Sequence, residues 1–421
     1  LAEPRLDPPG VPARRAAIRL LDAVLRRGQA LESALDSAAS GLAPPDRGLA
    51  HAIAAETLRR LPDLDALIDS ATPKPMPDDA KARFALRIAL VQVLSLGTPP
   101  HAAISTALPL VEGGPRKLVH GVFGTLMRRE VRLPDLPTLP HPVAIRWHAA
   151  WGDQMLAGAE QAISVPPPID LSLKEAGDWA ERLGGTSLLP DHVRLASSSG
   201  ITAREGFTEG DWWVQDLAAS LPARLLGRGP GRVLDLCAAP GGKTLQLAAA
   251  GWDVTAVDSS APRLARLTEN LARTGLEAQV VTADLLKWGP AAPADAVLLD
   301  APCSATGIFR RHPDVLHRVR PSLIGEMAEL QARLFHRAAK WVRPGGKLVY
   351  ATCSLEPEEG EKQLDTFLAA HAEFAVEAVR ADEVPAGLPI HERGYVRTLP
   401  GMLAEAGGLD GFFIVRLKRA A

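Results

Sequence analysis

The stretch Val233-Leu234-Asp235-Leu236-Cys237-Ala238-Ala239-Pro240-Gly241-Gly242-Lys243-Thr244 constrains this chain more than any other. Val233 to Leu236 reads as a short buried strand, apolar but for one acid, and from Thr244 the pattern turns helical. A strand that stops in a glycine-rich turn and restarts as a helix aims several backbone N–H groups at one point. That geometry suits a ligand carrying a carboxylate or a phosphate. The chain beyond this stretch reads as more of the same open, alternating sheet, and the chain before it reads as attached.

Two familiar loops compete for such a turn, and both fail. A nucleoside-triphosphate loop needs Gly-x-x-x-x-Gly-Lys-Ser/Thr; Gly242-Lys243-Thr244 supplies its end, but the first glycine would fall at position 237, which is Cys237. Dinucleotide binding needs Gly-x-Gly-x-x-Gly, a spacing this chain lacks. An amphoteric ligand such as S-adenosylmethionine remains. The alternative is a plain tight turn in a structural βα unit, a costly use of Pro, Gly, Gly and Lys together.

Beyond Arg224 the alternation is regular. Strands are predicted at 233–236, 253–257, 278–282, 296–299 and 347–351, with helices at 244–250, 261–273 and 322–342. This order means a parallel sheet with right-handed crossovers. Tyr395 to Leu399 and Phe412 to Leu417 read as a closing antiparallel pair.

At 421 residues the chain exceeds one ordinary core, so several domains are expected. Residues 1–132 read as all-α: a helix from Pro12 with Leu21, Val24 and Leu25 on one face and Arg14, Arg15, Arg19, Arg26 and Arg27 around it, then runs at 47–61, 64–70, 80–96 and 117–129. Pro44-Pro45, Pro99-Pro100 and Gly113-Gly114-Pro115 read as breaks between them. Residues 133–143 carry four prolines and read as a stiff linker. Residues 144–210 read as a small α+β module with a helix at 144–162, a strand at 169–173, a helix at 175–183 and an extended run at 193–196, followed by another at 212–215. Residues 211–421 hold the alternating sheet.

The formal charge of -2 gives no global basic field, so any nucleic-acid surface must be a local patch. The cysteines Cys237, Cys303 and Cys353 cannot build a disulfide framework, and a reducing cytoplasm suits them better. The chain opens without an apolar signal-like run and holds no stretch of membrane-spanning length, so a soluble, untargeted, monomeric protein with no membrane partner is expected. Leu1 is not a methionine, which leaves the native start open.

In open α/β sheets, ligands bind outside the carboxyl ends of the strands. Asp258, Asp284, Asp300, Cys303 and Cys353 all fall there. Each aspartate alone could cap a helix, but acids at three consecutive strand ends are harder to dismiss. A single cysteine is usually a buried structural one; two at strand ends, beside an acid and a ligand loop, suggest thiolate nucleophilic catalysis. No Cys-x-x-Cys or His-x-x-x-His spacing accompanies them, so no metal is expected. Arg310-Arg311-His312, with Arg318 and Arg320, follow the first cysteine loop, where a phosphate backbone would be gripped.

Taken in order, Val214-Gln215-Asp216, Asp235 to Thr244, Asp300-Ala-Pro-Cys-Ser-Ala-Thr-Gly307, Arg310-Arg-His-Pro-Asp314, Tyr350-Ala-Thr-Cys-Ser354 and Asp410-Gly411-Phe412-Phe413 resemble the motifs of the Sun/Fmu family of RNA cytosine-5 methyltransferases. The helical front half resembles a NusB-type domain, a pairing similar to the RsmB-type branch that acts on 16S ribosomal RNA. The resemblance implies a Rossmann-like S-adenosylmethionine-dependent methyltransferase domain, preceded by the small α+β module and an all-α NusB-like RNA-binding domain. It implies that Cys237, Ala238, Ala239, Pro240, Gly241, Gly242 and Lys243 wrap the methionine part of S-adenosylmethionine, with Asp258 on the ribose and Asp284 near the adenine. It places Asp300 between cofactor and base with Lys243 reaching the base, makes Cys353 the nucleophile, and ties Cys303 to product release. The helical half matches less closely: Ala102 to Thr106 and Val119-His120-Gly121 stand where such proteins often carry asparagine or glutamate.

Overall fold

The computed structural model describes residues 8–197 and 200–421. The chain forms two compact units. One gathers the described residues up to Ala149 with Ala159–Val165 and Phe309–Val319; the other holds Ala150–Gly158, Pro166–Ile308 and Arg320–Ala421.

The first unit is built from helices α1 (Val11–Leu25), α2 (Leu31–Ala38), α3 (Pro44–Arg59), α4 (Leu61–Ser70), α5 (Lys81–Leu94), α6 (Pro100–Ala107) and α7 (Gly113–Arg128). Leu20, Leu21, Ile53, Leu58, Leu90 and Phe123 join one core. Helix α5 is buried on every side from Ala82 to Gln92, as a central helix must be. Its two buried arginines are neutralised from α4: Arg87 grips Asp65 with two 2.8 Å bonds, and Arg83 donates to Asp69 at 2.8 Å.

Three expected breaks are helix starts instead. Pro44 and Pro45 open α3, Pro100 opens α6, and Gly113-Gly114-Pro115 open α7. A first-turn residue needs no intrahelical N–H bond, so proline is tolerated there. The short helices α2 and α6 lie outside the expected set, α6 for the same reason. Arg14, expected on the polar rim of α1, is buried and donates to Gln92 Oε1 at 2.8 Å. Helix α8 (His141–Ser164) begins inside the expected linker, with Pro142 in its first turn, and is interrupted at Gly152, whose φ is 77°.

In the second unit, β1 (Ile169–Leu173), α9 (Trp179–Leu183), β2 (His192–Leu195), β3 (Trp212–Val214) and α10 (Leu217–Arg224) come first. The strands make an antiparallel sheet in the order β2-β1-β3. Helix α9 covers only the end of the expected 175–183, and α10, which carries Pro222 internally, was not expected at all. Asp216 caps α10 by accepting from Ala218 N at 2.9 Å.

The larger sheet follows: β4 (Arg232–Leu236), α11 (Gly242–Ala249), β5 (Asp253–Asp258), α12 (Ala261–Thr274), β6 (Gln279–Thr282), β7 (Ala294–Asp300), α13 (Val315–Arg318, part of the first unit), α14 (Pro321–Lys340), β8 (Val342–Thr352), α15 (Glu361–Ala370), β9 (Phe374–Val376), β10 (Val396–Thr398) and β11 (Phe412–Arg419). Its order is β10-β11-β8-β7-β4-β5-β6, with β9 also on β11. Strands β8, β7, β4, β5 and β6 run parallel, and β11 returns antiparallel to β8, pairing with β10 as expected. This is the Rossmann-like sheet. Alternate residues feed opposite cores: Leu234, Leu236, Val297, Leu299 and Tyr350 on one face, Val233, Ala296, Leu298, Val349 and Ala351 on the other. Strand order reverses between β4 and β7, so a crevice opens at their carboxyl ends, and both cysteine-bearing loops begin beside it. No helix among the described residues is long and apolar enough to cross a membrane.

Candidate active site

Between β4 and α11 the chain turns through Cys237, held at φ 61°, and Gly241, at φ 111°. A side chain at Gly241 would put a Cβ 2.3 Å from Leu267 Cδ1 of α12, so only glycine lets the turn pass. Ala238 N donates to Val257 O at 3.1 Å, and Ala239 N donates to Asp258 Oδ2 at 3.1 Å, which ties the turn to the end of β5. Beneath the turn, fully buried Asp235 accepts from Thr244 Oγ1 at 2.5 Å. Burial raises its carboxyl to about 7, against the opposing pull of that bond and of Lys243. Burial likewise pushes the Cys237 thiol far above its ordinary range, with the Asp300, Asp258 and Asp235 charges adding to it. Its place in the turn therefore disfavours a thiolate at Cys237.

Asp258 is buried and its Oδ1 accepts from Ser260 N at 2.9 Å. Asp284 accepts from Leu286 N at 2.9 Å. Neither caps a helix, since Ser260 holds that place on α12 and Asp284 leads into a turn; both acids brace loops. Together they rim a recess of about 150 Å³ whose polar edge is Asp258, Ser259 and Asp284 and whose apolar wall includes Leu285, Leu286 and Leu334. The recess is thus polar on one side and apolar on the other.

On the other side of the turn, Lys243 Nζ donates to Asp300 Oδ2 at 2.7 Å. Burial opposes the lysine's charge, but Asp300, by charge and by hydrogen bond, more than offsets it and holds the ammonium above its usual pKa. Asp300 remains 28 % exposed, so this pair faces the opening.

Three residues beyond Asp300, Cys303 Sγ lies 3.4 Å from Cys353 Sγ, which follows β8. The backbone locks the two loops together. Ala301 N donates to Ala351 O at 2.9 Å, and Gly307 N donates to Cys353 O at 3.0 Å. Gly307 in turn packs directly on Gly411, where an added Cβ would stand 1.9 Å from Gly411 O. The hydrogen bond to Cys353, burial and the nearby Glu359 charge hold the Cys303 thiol well above its ordinary pKa.

Two features depart from the sequence reading. The arginine segment is not an open basic loop: Arg310 is buried, Arg318 donates to Asp314 at 2.9 Å, and Phe309–Val319 belongs to the helical unit, where His317 meets Leu58 O at 2.7 Å. Arg320 remains exposed. And Glu359, which the sequence reading did not single out, is fully buried behind the cysteines, bonded to Ser304, Ser354 and Gln331. A 3₁₀ turn at Pro357–Glu359 carries it inward; no sequence period signals this.

Residues 225–418 match the family described as 16S rRNA methyltransferase RsmB/F, and residues 11–125 match the NusB family. The ribosomal RNA small subunit methyltransferase B of Xanthomonas campestris is 34% identical over 98% of this chain and 98% of that protein. Its namesake in Xylella fastidiosa is 36% identical over 97% and 98%. A solved methyltransferase homolog protein from Pyrococcus horikoshii superimposes with a TM-score of 0.55 at 25% identity, covering 66% of this chain and 94% of that one.

Proposed function

The chain belongs to the 16S rRNA methyltransferase RsmB/F family, and from that premise we propose that it methylates C5 of a cytosine in 16S ribosomal RNA through a covalent bond between Cys353 and C6 of the base. The observation that carries the reading is the thiol pair, 3.4 Å apart at the ends of two adjacent strands, beside the Lys243–Asp300 ion pair.

S-adenosylmethionine, when bound, supplies an electrophilic methyl group on a sulfonium. The residues present fit it: the recess rimmed by Asp258 and Asp284 suits its nucleoside, and the 237–243 turn offers backbone N–H groups to its amino-acid end. The other steps fall to the chain. Cytosine C5 is too electron-poor to attack a methyl group unaided. The Cys353 thiolate adds to C6 and pushes an electron pair toward C5, while the Lys243 ammonium, held by Asp300, stabilises the negative charge that develops on the ring. After methyl transfer, water at the open site takes the C5 proton, the C5–H pair restores the C5–C6 double bond, and the C6–S bond breaks with its pair leaving on the Cys353 thiolate. Cys303, 3.4 Å away, donates a hydrogen bond to that departing sulfur.

A base inside a helix cannot reach this crevice, so the target is single-stranded or flipped out. The helical unit contributes RNA affinity through local basic surface: Arg116, Lys117, Arg128 and Arg129 on and just after α7 are exposed. Bisulfite sequencing of ribosomal RNA incubated with the protein tests the reading. One cytosine that becomes resistant only with cofactor supports it; methylation at another atom or base contradicts it.

A further inference from the structure

Behind the two cysteines lies a buried carboxyl to which the proposed reaction gives no part. Glu359 Oε2 accepts from Ser304 N at 2.8 Å and from Gln331 Nε2 at 2.8 Å. Its Oε1 accepts from Ser354 Oγ at 2.8 Å and also bonds the Ser304 hydroxyl. Ser304 directly follows Cys303, and Ser354 directly follows Cys353. One carboxyl therefore holds the residue next to each sulfur. Its own carbonyl accepts from Tyr350 Oη at 2.9 Å and Thr352 Oγ1 at 3.1 Å, both on the strand that delivers Cys353. The Gln331 amide that reaches Glu359 also donates to Pro302 O at 2.9 Å, on the far side of Cys303.

A hydrophobic filler would pack this space as well, and an ionisable group in a fully buried position is costly unless every lone pair is engaged. Here they are engaged, by groups from both cysteine loops and by Gln331 of α14.

Resting on the cytosine reaction, we propose that Glu359 is a positioning residue for it: it fixes the separation of the two sulfurs and keeps them unequal, so that Cys303 stays a thiol while Cys353 serves as the nucleophile. Positioning alone carries weight, since a displacement of about 1 Å in a reacting group can cost about 100-fold in rate. The inequality follows from placement. The groups facing Cys303 are Cys353 in front, Glu359 behind and the Tyr350 hydroxyl beyond; a carboxylate behind the Cys303 sulfur disfavours a second negative charge there. Burial raises the Glu359 carboxyl itself, and its four hydrogen bonds work in the opposite direction.

The test compares wild type with Glu359→Gln, which keeps the shape and loses the charge, and with Ser354→Ala, which cuts one bond to the Cys353 loop. Methylation rate, S-adenosylmethionine affinity, melting temperature and the pH profile of iodoacetamide labelling at Cys303 are measured for each. The expected result for Glu359→Gln is a kcat lowered about 10–100-fold. Its KM for RNA, cofactor affinity and melting temperature should be nearly unchanged, and Cys303 should label at lower pH than in wild type. Ser354→Ala should lower kcat less and leave the Cys303 profile in place. Wild-type kcat and an unmoved profile in Glu359→Gln would overturn the assignment. So would a kcat loss that tracks a fall in melting temperature and cofactor affinity while the profile stays put, which marks an ordinary core residue. Wild-type protein that modifies no cytosine would sink the reaction itself, a result distinct from either of these.

Discussion

Asp170 and Asp235 are both fully buried aspartates on strands of the same unit, and they end in opposite states. Asp170, on β1, accepts from Arg194 at 2.6 and 2.8 Å and from Leu217 N at 3.0 Å, with His192 Nε2 3.1 Å away. Burial alone would raise its pKa, but the Arg194 bonds and His192 hold it well below the carboxylate range. Asp235, on β4, has Thr244 as its bonded partner, its Oδ1 lacks one, and its carboxyl rises to about 7. Burial is equal; the partners decide. The saturated Asp170 carboxylate is scaffold, and it clamps the small sheet to α10. The proposed chemistry gathers around the turn and the open Lys243–Asp300 pair.

Arg194→Met breaks the saturated side and should have the largest effect. It leaves a buried carboxylate without its main counter-ion, which costs about 3–5 kcal/mol. Urea unfolding should show that loss, and a cost below about 1 kcal/mol would erase the contrast.

Lys243→Met probes the open side. Asp300 is partly exposed and tolerates the loss, so stability should change little while turnover falls about 100–1,000-fold, or about 2.7–4 kcal/mol. A melting temperature that drops with preserved turnover per folded molecule would place Lys243 among the scaffold residues.

Asp258 lies between the two cases, since its carboxylate braces the turn and rims the recess. Asp258→Ala should weaken S-adenosylmethionine binding by about 1–3 kcal/mol, and Asp258→Asn by less. Calorimetry with equal affinity in both variants would leave the acid with its bracing role alone.

Asp235→Asn is the subtlest. A folded-state pKa raised above the unfolded value means the folded protein binds the extra proton, so this group's contribution to stability is present at low pH and lost as pH rises toward about 7. Asp170 has the opposite sign: its depressed pKa stabilises above the unfolded value near 4 and is lost only in stronger acid. Asp235→Asn should therefore unfold like wild type at acid pH and at a higher urea concentration at pH 8. An equal midpoint at both pH values would return Asp235 to an ordinary ionised acid.

The catalytic sheet was largely legible because its strands are apolar runs that end in acids and thiols, and its glycines sit where a side chain would collide with a neighbour, with Leu267 at Gly241 and with the Gly411 backbone at Gly307. The helical unit was less so. Pro44, Pro100 and Pro115 look like interruptions until their place in a first turn is known. Arg83 and Arg87 lie within the expected run 80–96, but their partners Asp65 and Asp69 come from another helix. Glu359 was invisible for a related reason: what buries it is a turn that folds an acidic run back onto two distant loops. Contacts between residues far apart in sequence decide such cases, and period and composition carry no trace of them.

The central claim is that one sulfur forms the bond and the other releases it. Denaturing electrophoresis of the protein with labelled RNA and S-adenosylmethionine separates the two directly. Cys353→Ala should give neither product nor a covalent protein–RNA band. Cys303→Ala should accumulate that band because the adduct forms and does not leave. A band with Cys353→Ala and none with Cys303→Ala would contradict the assignment of the nucleophile.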